Sequence, residues 1–158
     1  ILVESPKVAT YDLKPEMSAT EVRHKLVEAI NSDKYDLIVV NFANPDMVGH
    51  TGIMEATVEA CEVIDEIVGE LEEVVKSKDG VMLVTADHGN SERMYDDKNG
   101  QPYTAHTASL VPLILVGNDV GGMQLADGRL CDIAPSILEL MGLEKPAEMT
   151  VVSLVRNK

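Results

Sequence analysis

Apolar residues recur along this chain at two periods, and the alternation between them predicts its architecture. Val22, Leu26 and Ile30 fall at helical spacing, and Ser18 with Glu21 precedes them as a capping box, so a helix is expected to end near Asn31. A longer stripe, Ile53, Ala56, Ala60, Ile64, Ile67, Leu71 and Val74, repeats every three or four positions. The glutamates between them, from Glu55 to Glu73, make a solvated face, and "KDG" at 78–80 stops the helix. The runs "DLIVVNF" (36–42), "VMLVTA" (81–86) and "VPLILVG" (111–117) are short and continuously apolar, as in strands covered on both faces. Residues 91–108 read as a polar loop with a hairpin tip at Asn99–Gly100. "DIAPSILELMG" is a last helix, capped by Asp132 and stopped by Gly142.

Strand, helix, strand, loop, strand, helix predicts an α/β layer structure on a largely parallel sheet. In such sheets ligands gather beyond the carboxyl ends of the strands. Asp46 and His50 follow the first apolar run, and Asp87 and His88 follow the second. His106 closes a loop leaving the same edge.

Composition narrows the partners. At 158 residues, 45% hydrophobic and 25% charged, the chain has the make-up of one soluble domain. A net charge of −14 excludes nucleic acid as a natural partner, because phosphate backbones are bound by clustered Lys and Arg. No apolar run reaches the roughly 18 residues of a membrane span, so no membrane partner is expected. Cys61 and Cys131 lie in apolar helical patterns without CxxC spacing, which predicts buried free thiols and a cytoplasmic location. Ile1 opens the chain without an initiator Met, and we expect the sequence to begin partway through a longer protein.

The chemistry rests on the acid–histidine pairs. Carboxylate oxygen with imidazole nitrogen suits borderline divalent ions such as Mn²⁺, Zn²⁺, Co²⁺ or Fe²⁺. A four-residue spacing puts Asp46 and His50 on one face of a turn, with Pro45 at an early helical position. Asp87 and His88 converge only in an irregular turn, and "ADHGN" has the residues for one. Each piece alone also fits an ordinary role: an incidental DxxxH, a capping aspartate, a surface histidine. His24, amid polar neighbours in a helix, is the solvated control.

"NPDMVGHTG", "TADHGN" and "AHT", with "SPKVATYDLKPEMSA" and "DIAPSILELMG", resemble the cofactor-independent phosphoglycerate mutases of the alkaline phosphatase superfamily. The resemblance runs along almost the whole chain. It implies an alkaline-phosphatase-like layered sheet, largely parallel, with helices on both faces. It also implies interconversion of 3-phosphoglycerate and 2-phosphoglycerate in glycolysis through a phosphoserine intermediate. Two divalent ions are expected, Mn²⁺ first, with Zn²⁺, Co²⁺ or Mg²⁺ as alternatives. Asp46, His50 and His106 would hold one ion, Asp87 and His88 part of the other, and Lys7 would steady the transferring phosphoryl group. Read alone, Lys7 is a solvated lysine in an extended segment.

The departures shape the expectation as much. The family's nucleophilic serine, a second-metal aspartate and an inserted substrate domain have no counterpart here, and Ser91, Thr51 and Thr107 do not match the nucleophile. Val151 stands where the family pattern has glycine. The chain therefore reads as a single carboxyl-terminal portion of the metal-binding domain, inactive by itself and prone to self-association through an exposed sheet edge. A related phosphopentomutase or phosphatase, or a non-catalytic metal-binding module, are the alternatives.

Overall fold

Two helices meeting along their apolar stripes build the larger core. The computed structural model describes residues 1–157. α1 (Ala19–Asn31) and α3 (Met54–Ser77) pack together through Ala19, Leu26, Ile67 and Leu71, and Ile38, Phe42 and Met82 close over them. Both helices follow the predicted periodicity. The cap at Ser18 does not. Its backbone (φ −107°, ψ 19°) is not the extended conformation of a capping residue, and its Oγ donates instead to the Glu4 carbonyl at 2.7 Å. Ser18 therefore ties the irregular leading segment to the helix start. α3 stops as "KDG" predicts, with Asp79 in the left-handed region (φ 52°) and Gly80 N–H donating to Val75 O at 2.9 Å.

β1 (Val81–Thr85) pairs with β4 (Leu113–Gly117), Leu83 opposite Leu115, and α3 packs against both strands. β2 (Tyr95–Asp96) and β3 (Gln101–Pro102) form the predicted hairpin, with Gly100 at φ 66° in its tip. β5 (Met123–Leu125) pairs with β6 (Val155–Asn157), beside α4 (Ile133–Leu140). Leu154 N–H donates to the buried Ser136 Oγ at 2.8 Å, so the segment after Val151 is anchored to α4.

Three expectations need correction. The fold is α/β, but among the described residues every ladder is antiparallel. A parallel pair needs a crossover, usually helical, whereas Ala86 to Pro112 returns as a loop and hairpin to the edge it left. Residues 36–42 join no ladder. Ile38 and Phe42 reach the core, but Leu37 and Val39 stay 51% and 81% exposed, because no described strand lies beside them. Cys61 and Cys131 are free but exposed rather than buried, Cys61 sharing the solvent face of α3 with Val58 and Asp65. Among the described residues no helix is long and apolar enough to cross a membrane.

A smaller core positions the site. α2 (Asn44–Gly49) follows Phe42 directly and buries Val48 completely against Met17, Ala56 and Ala60. The buried Asn44 donates from Nδ2 to Pro15 O at 2.9 Å, fixing where α2 begins.

Candidate metal centre

α2 is short, with Pro45 in its first turn and His50 as the residue that ends it. One turn separates Asp46 from His50, and His50 Nε2 lies 3.2 Å from Asp46 Oδ1. The turn after β1 supplies the second group. An isolated bridge joins Gly89 to Thr107, with Thr107 N–H donating to Gly89 O at 2.8 Å. That bridge brings His106 over His88, ring centroids 3.8 Å apart, and puts His106 Nε2 3.1 Å from the same Asp46 Oδ1. Gly89 is required there, since a Cβ would come within 2.3 Å of Thr107 Oγ1.

All five expected acid and histidine side chains thus stand at one rim. Asp46, His88 and His106 offer ligand atoms within 4.8 Å of one another. His50 is nevertheless the better third partner for Asp46, because His88 Nδ1 stands 4.0 Å from Asp46 Oδ1. His88 also turns Nε2 toward Asp87 Oδ1 at 3.7 Å. Lys7 is exposed on the leading segment, and among the described residues no hydrogen bond or ion pair joins it to the rim. His24 is exposed beside Arg23, away from the cluster.

The hydrogen bonds show what the cluster can hold. His50 Nδ1 lies 2.6 Å from Thr104 O. A carbonyl only accepts, so Nδ1 carries the proton and the Nε2 lone pair faces inward. That lone pair meets His106 Nε2 at 3.0 Å and Asp46 Oδ1 at 3.2 Å. Three ligand atoms this close are bridged by a proton on one of the rings or by a cation. Ligands about 2.1 Å from a common ion lie roughly 3.0 Å apart at right angles and about 3.4 Å apart in a tetrahedron. The observed spacings of 3.0, 3.1 and 3.2 Å lie at and just above the right-angle value, so the residues suit a divalent ion.

Nothing in the linear pattern marked the residues behind this first layer. Asn90, 5% exposed, donates from Nδ2 to Asp46 Oδ1 at 2.7 Å across 44 positions. Thr104 acts through its backbone, which side-chain identity does not reveal. Ser91 and Thr51 hydroxyls donate to Pro45 O and Val48 O, and Thr107 donates to Glu92, so each is already engaged.

Glu92 clamps the two loops. Hydrogen bonds from Thr107 first, then Ser109, push its carboxyl from 4.5 down to about 2. A depressed folded-state value contributes stability that is complete above about pH 4.5 and is lost as pH falls toward 2. Urea unfolding of wild type and Glu92→Gln across a pH series should show a gap that is constant near neutrality and closes through that window. A gap unchanged at pH 2 would remove Glu92 from the clamp.

The chain as a whole is similar to several known proteins. A profile described as the Metalloenzyme superfamily matches residues 1–145. The 2,3-bisphosphoglycerate-independent phosphoglycerate mutase of Clostridium beijerinckii is 55% identical over 157 residues, which cover 99% of this chain and 31% of that protein. A mutase of Methanosarcina barkeri with the same name, numbered 2, is 57% identical, covering 98% and 29%. A crystal structure of Leishmania mexicana phosphoglycerate mutase at low cobalt concentration superposes with a TM-score of 0.88 at 33% identity, covering 99% and 31%. The chain spans under a third of the length of these relatives.

Proposed function

The chain belongs to the metalloenzyme superfamily, and from that premise we propose that it is the ion-binding carboxyl-terminal part of a 2,3-bisphosphoglycerate-independent phosphoglycerate mutase. Its fold is the alkaline-phosphatase-like one of that superfamily. The observation that carries the reading is the convergence of Asp46 Oδ1, His50 Nε2 and His106 Nε2 within 3.0–3.2 Å, in a chain over half identical to such mutases.

In this reading Asp46, His50 and His106 hold one ion and Asp87 and His88 hold part of a second, with Mn²⁺ as the physiological metal. Bound divalent ions supply the positive charge that lowers the pKa of a hydroxyl and stabilises phosphoryl oxygens. The chain's own residues prepare for that. Thr104 O fixes the His50 tautomer, the Gly89–Thr107 bridge holds His106 in place, and Lys7 brings a cation for the anionic substrate. The nucleophilic serine and the grip on 3-phosphoglycerate come from parts of the parent outside this chain, which works in cytoplasmic glycolysis.

Calorimetric titration with Mn²⁺, paired with a mutase assay, tests the reading. The chain should bind at least one ion and show no turnover alone, and turnover should appear when the amino-terminal part of the parent is supplied. Absence of ion binding, or turnover by the chain alone, overturns it.

Residues 37–40 present Leu37, Val39 and Val40 to solvent along an unpaired backbone. Such edges recruit other chains. Sedimentation velocity should therefore show dimers or larger species, and Val39→Lys should shift them toward monomer. Wild type running as a monomer at every concentration would refute the association.

A further inference from the structure

We propose that Asn90 is the positioning residue that aims Asp46 Oδ1 at the histidines and ties the two halves of the centre together. The inference rests on the ion-binding reading above. Its basis is a side chain placed too deliberately for a turn residue.

Asn90 sits on the turn that carries Asp87 and His88, yet its amide reaches back to α2. Nδ2 donates to Asp46 Oδ1 at 2.7 Å, and Asp46 O lies 3.4 Å from the same nitrogen. The bond is shielded, since Asn90 is only 5% exposed. Oδ1 of Asn90 is buried without a hydrogen-bond partner. The amide therefore gives up one of its own interactions to direct its N–H at the carboxylate; the reverse orientation would set two oxygens against each other.

Gly49 makes the approach possible. A Cβ on Gly49 would lie 2.4 Å from Asn90 Oδ1, so only a residue without a side chain lets the amide in. Two features far apart in sequence thus serve one contact.

The chemical consequence follows from lone pairs. Asp46 Oδ1 takes the Asn90 N–H on one side and faces His50 Nε2 and His106 Nε2 on the other. One lone pair stays available toward the histidines, so Asn90 fixes the direction in which that oxygen faces them. Asn90 shares its turn with Asp87 and His88, so a shift of that turn also moves the Asp46 carboxylate. Partners of this kind alter metal affinity by about 10–100-fold when removed.

Three variants test this with Co²⁺, read by calorimetry and by the visible d–d spectrum, which reports coordination number. Asn90→Ala should weaken binding at least about tenfold and change the spectrum as the freed carboxylate turns away from its fixed direction. Gly49→Ala should do the same while α2 gains a better helix former. Ser91→Ala, which removes only the neighbouring bond to Pro45 O, should leave both readouts near wild type. Wild-type affinity and spectrum in Asn90→Ala overturn the inference alone, as does an equal loss in Ser91→Ala, which would mean that loop integrity alone matters. Failure of wild type to bind Co²⁺ overturns the ion-binding reading and this inference with it.

Discussion

Asp46→Ala should abolish specific ion binding, the largest single loss available in this chain. Asp46 Oδ1 is the atom that both His50 Nε2 and His106 Nε2 approach, and Asn90 holds it in place. Its removal deletes the only carboxylate of that triad and leaves two imidazole rings facing each other. The loss should exceed the roughly 100-fold at the upper end for outer partners. Thermal unfolding makes the difference visible. At an ion concentration about 100 times the dissociation constant, wild type gains about 2.7 kcal/mol, a rise of roughly 5–11 °C for a domain of this size. Asp46→Ala should gain nothing. A shift of similar size in the variant would place the ion elsewhere.

Leu71→Ala should be the costliest simple core truncation. Leu71 is 4% exposed and joins Leu26, Ala19 and Ile67 in the cluster that holds α1 against α3. Deleting its side chain removes buried surface and leaves a cavity that two facing helices cannot close. The expected cost is about 2–5 kcal/mol, a large part of the roughly 5–15 kcal/mol that stabilises a domain. In urea the midpoint should fall with an unchanged slope, and Glu66→Ala on the solvent face should stay within about 0.5 kcal/mol of wild type. Because Leu71 is not among the rim residues, added Mn²⁺ should stabilise this variant by the same increment as wild type. A cost under about 1 kcal/mol would mean that the helix pair is not the stabilising core.

What could be read from the residues follows the range of the interactions. The stripes from Val22 to Ile30 and from Ile53 to Val74 locate α1 and α3, because a helix satisfies its backbone within itself and needs only one apolar face. Asn99–Gly100 marks the hairpin because a tight turn is local chemistry. The segment at 36–42 carries every strand signal and still pairs with nothing described, since a strand is completed by another backbone. The direction of pairing between β1 and β4 was equally hidden, being set by the route of the loop between them. In the centre, residue type and spacing brought out the acids and histidines. Asn90 read only as a turn former, and Thr104 contributes a carbonyl that any residue has.

The hairpin has a consequence for the continuity of the backbone. Its tip, Asp97 to Gly100, is exposed, while its base is closed by Tyr103 N–H on Met94 O at 3.0 Å. A protease cut at the tip would divide the chain into one piece carrying Asp46, His50 and His88 and another carrying His106. The β1–β4 ladder spans the cut, so the two pieces would stay fastened as a two-fragment complex, and a divalent ion would act as a second rivet between them.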